Sequence, residues 1–203
     1  RGKKTYDLPR VTVAEGVIST AEIANAQELN PAITPDKFQR IIEEKYSADI
    51  MFLIQQANLR SEQLKSEQMN ALHNEIKAAT EAPNKELTNI NVASYASPDG
   101  GVKLNTTLAE NREKNTVNYM KKSLKKGKID ADMTAEFTAQ DWEGFKELVS
   151  KSNIQDKELI LNVLSMYSDP EQREREIKNM SSVFKVLAEE ILPQLRYSRI
   201  TAS

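Results

Sequence analysis

Cysteine is absent from this 203-residue chain, which excludes disulfides and thiolate metal sites. Histidine occurs once, as His73; a metal centre would need carboxylates and water to complete it, and none is expected. No apolar run approaches the ~20 residues that span a bilayer as a helix. Neither charge dominates, because 28 basic residues face 30 acidic ones for a net −2. So balanced a chain sets up no global field that gathers nucleic acid or anionic lipid. No apolar stretch follows Arg1-Gly2-Lys3-Lys4, so for an exported protein the signal is expected outside this sequence. Catalytic signatures are missing too: there is no nucleophile–base pairing, no glycine-rich phosphate loop and no carboxylate pair in contrasting surroundings. The expectation is a binding module, with no catalytic residue and no cofactor.

What is present suits an ordinary folded protein, 39% apolar and 29% charged, large enough to remove roughly 70% of its unfolded surface from water. Residues 1–47 differ from the rest and read as a β-rich N-terminal extension, pairing with the core sheet. Leu8–Val13 alternates as a short strand, with Pro9 marking an edge, and Gly16 turns the chain. Thr34-Pro35-Asp36 can cap a helix through Phe38, Ile41 and Ile42; the alternative, favoured here, is a strand over Lys37–Tyr46. Ile50–Ile54 is an unbroken apolar run, predicted as a central strand covered on both faces. Met69, Leu72, Ile76 and Ala79 mark an amphipathic helix ended by Pro83. Ile90–Tyr95 is the second core strand, running into the turn Ser97–Gly101.

A helix follows with Leu108, Val117, Met120 and Leu124 as its buried stripe, opened by a capping box at Thr107–Glu110 or one turn earlier by Asn105. Ala131–Phe137 is a weaker strand. Asp141 caps a helix bearing Trp142, Phe145 and Val149, with Trp142 as packed core. Asp156 opens another with Leu159, Ile160, Val163, Leu164 and Tyr167. Asp169-Pro170-Glu171 starts a long helix through Ile177, Met180, Phe184, Leu187 and Ile191 that stops at Pro193. Along it Glu171, Glu174 and Glu176 alternate with Arg173 and Arg175 as an exposed face of weak ion pairs. Leu195–Ala202 is the last strand. The order predicts an α+β fold, an α/β sandwich with a β-α-β-α-β core and helices on one face of the sheet.

One constellation invites a functional reading. A strand ends in a glycine turn, and Asn105, Leu108 and Arg112 then stand at i, i+3 and i+7 on one side of a helix. Unpaired N–H groups at the helix start add partial positive charge. With an exposed Arg112 they would form a pocket suited to a carboxylate.

These residues resemble the OmpA-like, peptidoglycan-associated domain, whose hallmark is a strand, an aromatic residue, Thr-Asp-x-x-Gly, then Asn-x-x-Leu-(Ser/Thr)-x-x-Arg-Ala opening a helix. The match runs through Tyr95, Gly100, Asn105, Leu108 and Arg112 and covers roughly residues 48–138. The turn Ser97–Gly100, the stretch Asp141–Phe145 and Leu192–Arg196 are similar to motifs of the Bacteroidetes subgroup. The resemblance implies an OmpA-like domain over 48–203, completed by a last strand at Ser198–Ala202 and enlarged by a helical insertion at 141–193. It implies a periplasmic module, attached to the outer membrane through parts of the protein outside this sequence, often a lipoprotein. Its partner would be the diaminopimelate-containing stem of peptidoglycan, bound non-covalently, or other envelope proteins; no nucleic acid is implied. Arg112 would take a stem carboxylate, with Asn105, Ser97, Asp99 and Gly100 lining the site. The aspartate that faces the ammonium in the family falls here on Ser97, a neutral hydroxyl, and Asp99 is the nearest carboxylate. Away from this site, Lys121, Lys122, Lys125, Lys126 and Lys128 read as a solvated helix end.

Overall fold

Alternation sets the sheet. In β1 (Tyr46–Met51) Ala48 and Ile50 are buried while Ser47 and Asp49 point the other way. The same alternation buries Ile90 and Val92 in β2 (Asn89–Tyr95), and Ile200 and Ala202 in β4 (Tyr197–Ala202). With β3 (Asp132–Thr138) these form a four-stranded sheet in the order β1-β4-β2-β3, in a computed structural model that describes Gly2 and residues 41–203. β4 runs antiparallel to both neighbours, whereas β2 and β3 are parallel. The last strand in sequence is therefore internal to the sheet, and the sheet closes only when the end of the chain pairs. The expected strand at the end of the chain thus completes the sheet, and the α+β architecture is as predicted.

Two long helices cover one face. After a single turn, α1 (Ser61–Leu64), comes α2 (Glu67–Glu81), capped by the Ser66 hydroxyl, which accepts the Met69 N–H. α3 (Val102–Gly127) crosses between the parallel strands β2 and β3. Met69, Leu72 and Ile76 from α2 and Met120 and Leu124 from α3 meet Ile50, Val92 and Ile200 in the first core. His73 lies 3.0 Å from the Tyr119 hydroxyl and ties α2 to α3; burial holds its pKa below the usual histidine value.

The insertion builds a second core of its own. It comprises α4 (Trp142–Lys151), α5 (Lys157–Met166), α6 (Pro170–Asn179) and α7 (Ser181–Val186), a π turn over Leu187–Ile191 and a 3₁₀ turn over Leu192–Leu195. Phe145, Val149, Ile160, Ile177, Leu187 and Leu195 are its buried centre, with Trp142 packed edge-on to Phe145. Asp141 caps α4 by accepting the Gly144 N–H at 2.8 Å. A Cβ at Gly144 would collide with that carboxylate, which explains the Asp-x-x-Gly spacing.

Three expectations need correction. Ile50–Ile54 is not one strand: β1 ends at Met51 and lies at the edge of the sheet among the described residues, and Leu53 and Ile54 are exposed on the turn that follows. The single helix after Asp169 is instead broken at Met180 (φ −82°, ψ 66°) and widens into the π turn before Pro193. Pro193 has no N–H to donate and its ring crowds the carbonyl four residues back, so a regular α-turn cannot continue through it. The capping box at Thr107–Glu110 lies inside a helix that begins at Val102, and Thr107 bonds back to the Lys103 carbonyl. The strand at Leu8–Val13, the Gly16 turn and most of the Thr34–Tyr46 alternatives fall outside the described residues; Ile41–Lys45 carries no strand.

Candidate functional site

The loop between β2 and α3 is the centre of the predicted site, and the side chains named for it do converge. They are arranged differently from the expectation. α3 buries Asn105, Ala109, Arg112, Thr116, Met120 and Leu124, so its inward stripe begins with polar residues, and Leu108 lies at its margin, half-buried. Arg112 is not an exposed ligand group: its exposure is 0%. Its Nε donates to the Gln56 carbonyl at 2.9 Å, Nη1 to the Tyr95 carbonyl at 2.8 Å and Nη2 to the Leu53 carbonyl at 3.2 Å. Below it the guanidinium lies 4.9 Å from the centre of the Phe52 ring. Arg112 thus fastens two separate chain segments, the turn after β1 and the exit of β2, to α3.

That grip explains why β1 ends early. Leu53 and Gln56 turn their carbonyls toward Arg112 through a tight bend in which Gln55 adopts φ 54°. A left-handed conformation at a residue other than glycine costs roughly 1–2 kcal/mol, which the charge-assisted bonds to Arg112 offset. Desolvation and then the neighbouring Arg196 push the Arg112 guanidinium down to about 10, with Asp99 opposing. It remains a cation at neutral pH, solvated by main-chain dipoles instead of water.

Asn105 works as a second strut and not as a helix cap. Gly101 is the N-cap residue, with no side-chain cap bond. Asn105 is 2% exposed, and its amide nitrogen donates to the carbonyls of Gly100 at 3.1 Å and Ser97 at 3.2 Å, with Asp99 O at 3.5 Å. Gln140 adds a bond to the Gly100 carbonyl at 3.0 Å. Gly100 itself has φ 109°, a conformation open to glycine and strained for other residues.

On the outer side of the loop the charged groups meet. The Ser97 hydroxyl donates to the Asp99 carboxylate and accepts from Arg196 Nε at 3.1 Å. Arg196 Nη2 donates to Asp99 Oδ2 at 3.3 Å. Proline at position 98 does not keep Asp99 away from Ser97; the turn brings the carboxylate beside the hydroxyl. Asp99 keeps a side-chain exposure of 16%, whereas Arg196, at 9%, is buried as Arg112 is. The uncapped first turn of α3, with Val102, Lys103 and Leu104 exposed, opens beside this pair.

Two members of this arrangement were not recognised in the sequence as site residues. Arg196 had a signal, since it closes the Leu192–Arg196 motif. Glu174 had none, because it sits in a helix that reads as an exposed ion-pair face. Its carboxylate accepts the Gly100 N–H at 2.7 Å while also pairing with Lys178. Arg173 likewise turns inward, to the Leu164 and Tyr167 carbonyls and over the Trp142 ring. The insertion therefore supports the loop as well, through Glu174 on the Gly100 N–H. Chemically, the site offers the Asp99 carboxylate and the Arg196 guanidinium 3.3 Å apart, a second carboxylate, Glu174, on the Gly100 N–H, the enclosed Arg112 guanidinium, and an uncapped helix N-terminus. A scan against protein-family models and a search of curated proteins found no match for this sequence.

Proposed function

We propose that this chain is an OmpA-like cell-envelope module that holds the peptide stem of peptidoglycan non-covalently and so anchors an outer-membrane-associated protein in the periplasm. The reading is of a binding module, not an enzyme. The observation that carries it is the partly exposed Asp99 carboxylate, paired with the buried Arg196 in the loop before the uncapped start of α3. A diaminopimelate side chain presents an ammonium and a carboxylate on one carbon. Asp99 is the group to receive the ammonium, which a hydroxyl at position 97 cannot do alone. Arg196 and the N–H groups of α3 are the groups to receive the carboxylate. In this reading Arg112 contributes charge and rigidity from behind the loop rather than direct contact.

A second reading, protein–protein contact within an envelope assembly, is favoured by a different observation. Leu53, Ile54, Val102 and Leu104 are 46%, 55%, 37% and 52% exposed, on the turn that Arg112 grips and on the first turn of α3.

The test is a pull-down on diaminopimelate-containing sacculi with the parent chain and with Asp99→Asn. Asparagine keeps the size and still accepts the Ser97 hydroxyl but turns a donor toward Arg196 Nη2, so a thermal melt of the variant accompanies the pull-down and binding is compared on folded protein. Loss of a charge-assisted contact predicts binding at least tenfold weaker. Sacculi whose stems carry lysine, which lacks the second carboxylate, are expected to bind less. Undiminished binding by Asp99→Asn would remove Asp99 from the site, and no binding by a folded parent chain would favour the protein-partner reading.

A further inference from the structure

The far end of α3 carries a second feature, on residues separate from the loop and independent of the reading above. Lys121, Lys125 and Lys128 stand at i, i+4 and i+7 along one side of an open groove of about 400 Å³. Its floor is apolar: Leu124, Ile129, Ala131 and Met133, where the chain leaves α3 for β3. Asp130 is the one acidic group in its lining. Among the described residues none of the lysines at this helix end, Lys122 and Lys126 included, makes an ion pair. Elsewhere Lys77, Lys85, Lys114, Lys151 and Lys178 each pair with a glutamate, while Lys65, Lys103, Lys146, Lys157 and Lys185 make no ion pair among the described residues, so what distinguishes this helix end is five such lysines within eight positions.

The helix dipole accounts for Lys125 and Lys126 in the last turn. It does not account for Lys121 a turn earlier, nor for an apolar floor beneath the ammonium groups. Lys128 also occupies the left-handed C-terminal position (φ 56°, ψ 34°), where glycine is the least strained residue. The glycine stands one place earlier, at Gly127, where a Cβ would come 3.2 Å from Ile129 Cδ1 on the groove floor. A cation is held at the rim at some conformational cost, and the residue before it is bare so that the floor can form.

We propose that this groove seats the headgroup of an anionic phospholipid at a membrane surface, the lysines around the phosphate and the first acyl methylenes on Leu124, Ile129, Ala131 and Met133. Free phosphate has no use for an apolar floor. Nucleic acid would want aromatic side chains for base stacking, and the lining has none. With the chain at net −2, attraction is local to this patch, so the domain docks in one orientation.

The test is co-sedimentation with phosphatidylcholine vesicles, with and without one third phosphatidylglycerol. The parent chain is expected to bind only the anionic vesicles. Lys121→Gln/Lys125→Gln/Lys128→Gln should weaken this by roughly fivefold per lysine, on the order of 100-fold together. The same substitutions at Lys146, Lys151 and Lys185 should change it little, and Met133→Ser should weaken it several-fold on its own. Equal losses from the two lysine triples would reduce the effect to net charge and overturn the proposal. So would failure of the folded parent chain to bind, full binding by Met133→Ser, or displacement by inorganic phosphate beyond that by chloride of equal ionic strength.

Discussion

Arg112→Met is expected to cost the domain about 3 kcal/mol or more of stability, a large share of the roughly 5–15 kcal/mol that holds a domain folded. The side chain is fully enclosed and serves three main-chain carbonyls, of Leu53, Gln56 and Tyr95, of which that of Leu53 also accepts the Gln56 N–H at 3.2 Å. Methionine fills much of the volume but accepts none of that burden, and an unsatisfied buried carbonyl costs about 1–3 kcal/mol. Leu53 and Gln56 are exposed residues whose carbonyls can recover some water, so the three penalties do not add in full. Arg112→Lys is expected to restore only part of the loss, because a single ammonium cannot serve acceptors on both chain segments. Urea denaturation reads the effect directly, and a loss below about 1 kcal/mol would contradict the role given to Arg112. A practical consequence follows for binding work. Removal of Arg112 disturbs the loop it supports, so any loss of binding in such a variant cannot be assigned to a ligand contact.

Substitutions at Asn105 separate two physical roles. If Asn105 were a helix cap, Asn105→Asp would be tolerated, since the two residues cap equally well. Its amide nitrogen instead faces the carbonyls of Ser97 and Gly100. A carboxylate there would set negative charge against carbonyl oxygens in a buried place. Asn105→Asp is therefore expected to be more destabilising than Asn105→Ala, which should itself cost about 1–2 kcal/mol, chiefly through the orphaned Ser97 carbonyl, since Gln140 still donates to that of Gly100. Thermal denataturation of the two variants, with hydrogen exchange at the Gly100 amide, checks both points. A stable Asn105→Asp protein with an undisturbed Gly100 amide would return Asn105 to the capping role.

Much of the fold is legible in the sequence because it rests on period. Alternation at Ala48–Ile50, Ile90–Val92 and Ile200–Ala202 defines the covered face of the sheet, and the 3.6-residue repeat of Met69, Leu72 and Ile76 defines α2. Caps at Asp141 and Asp169 were equally plain, since each is a carboxylate placed three residues before the N–H it accepts. What periodicity misreads is a buried polar position. Asn105, Arg112 and Thr116 lie on the inward side of α3, where a hydropathy pattern looks for apolar residues, and so the buried stripe was displaced toward Leu108. Spacing places Asn105 and Arg112 on one side of α3, and the resemblance adds Ser97 and Asp99 to the site. The burial of Arg112 is not legible there, because it depends on the carbonyls of Leu53 and Gln56, more than 50 residues away in sequence. Nor does local sequence mark Glu174, which reaches Gly100 from the insertion.

The loop is thus supported by Arg112, Asn105 and Glu174, while its partly exposed charged group is Asp99, paired with the buried Arg196. The most direct test of this division is a titration of the isotope-labelled parent chain with a diaminopimelate-containing stem peptide, followed residue by residue by NMR. The account predicts shifts concentrated at the amides of Asp99–Lys103 and at Arg196 Nε, with the Arg112 Nε resonance little moved because its carbonyl partners stay in place. Shifts absent from this loop, or an Arg112 resonance that moves as far as that of Arg196, would contradict it.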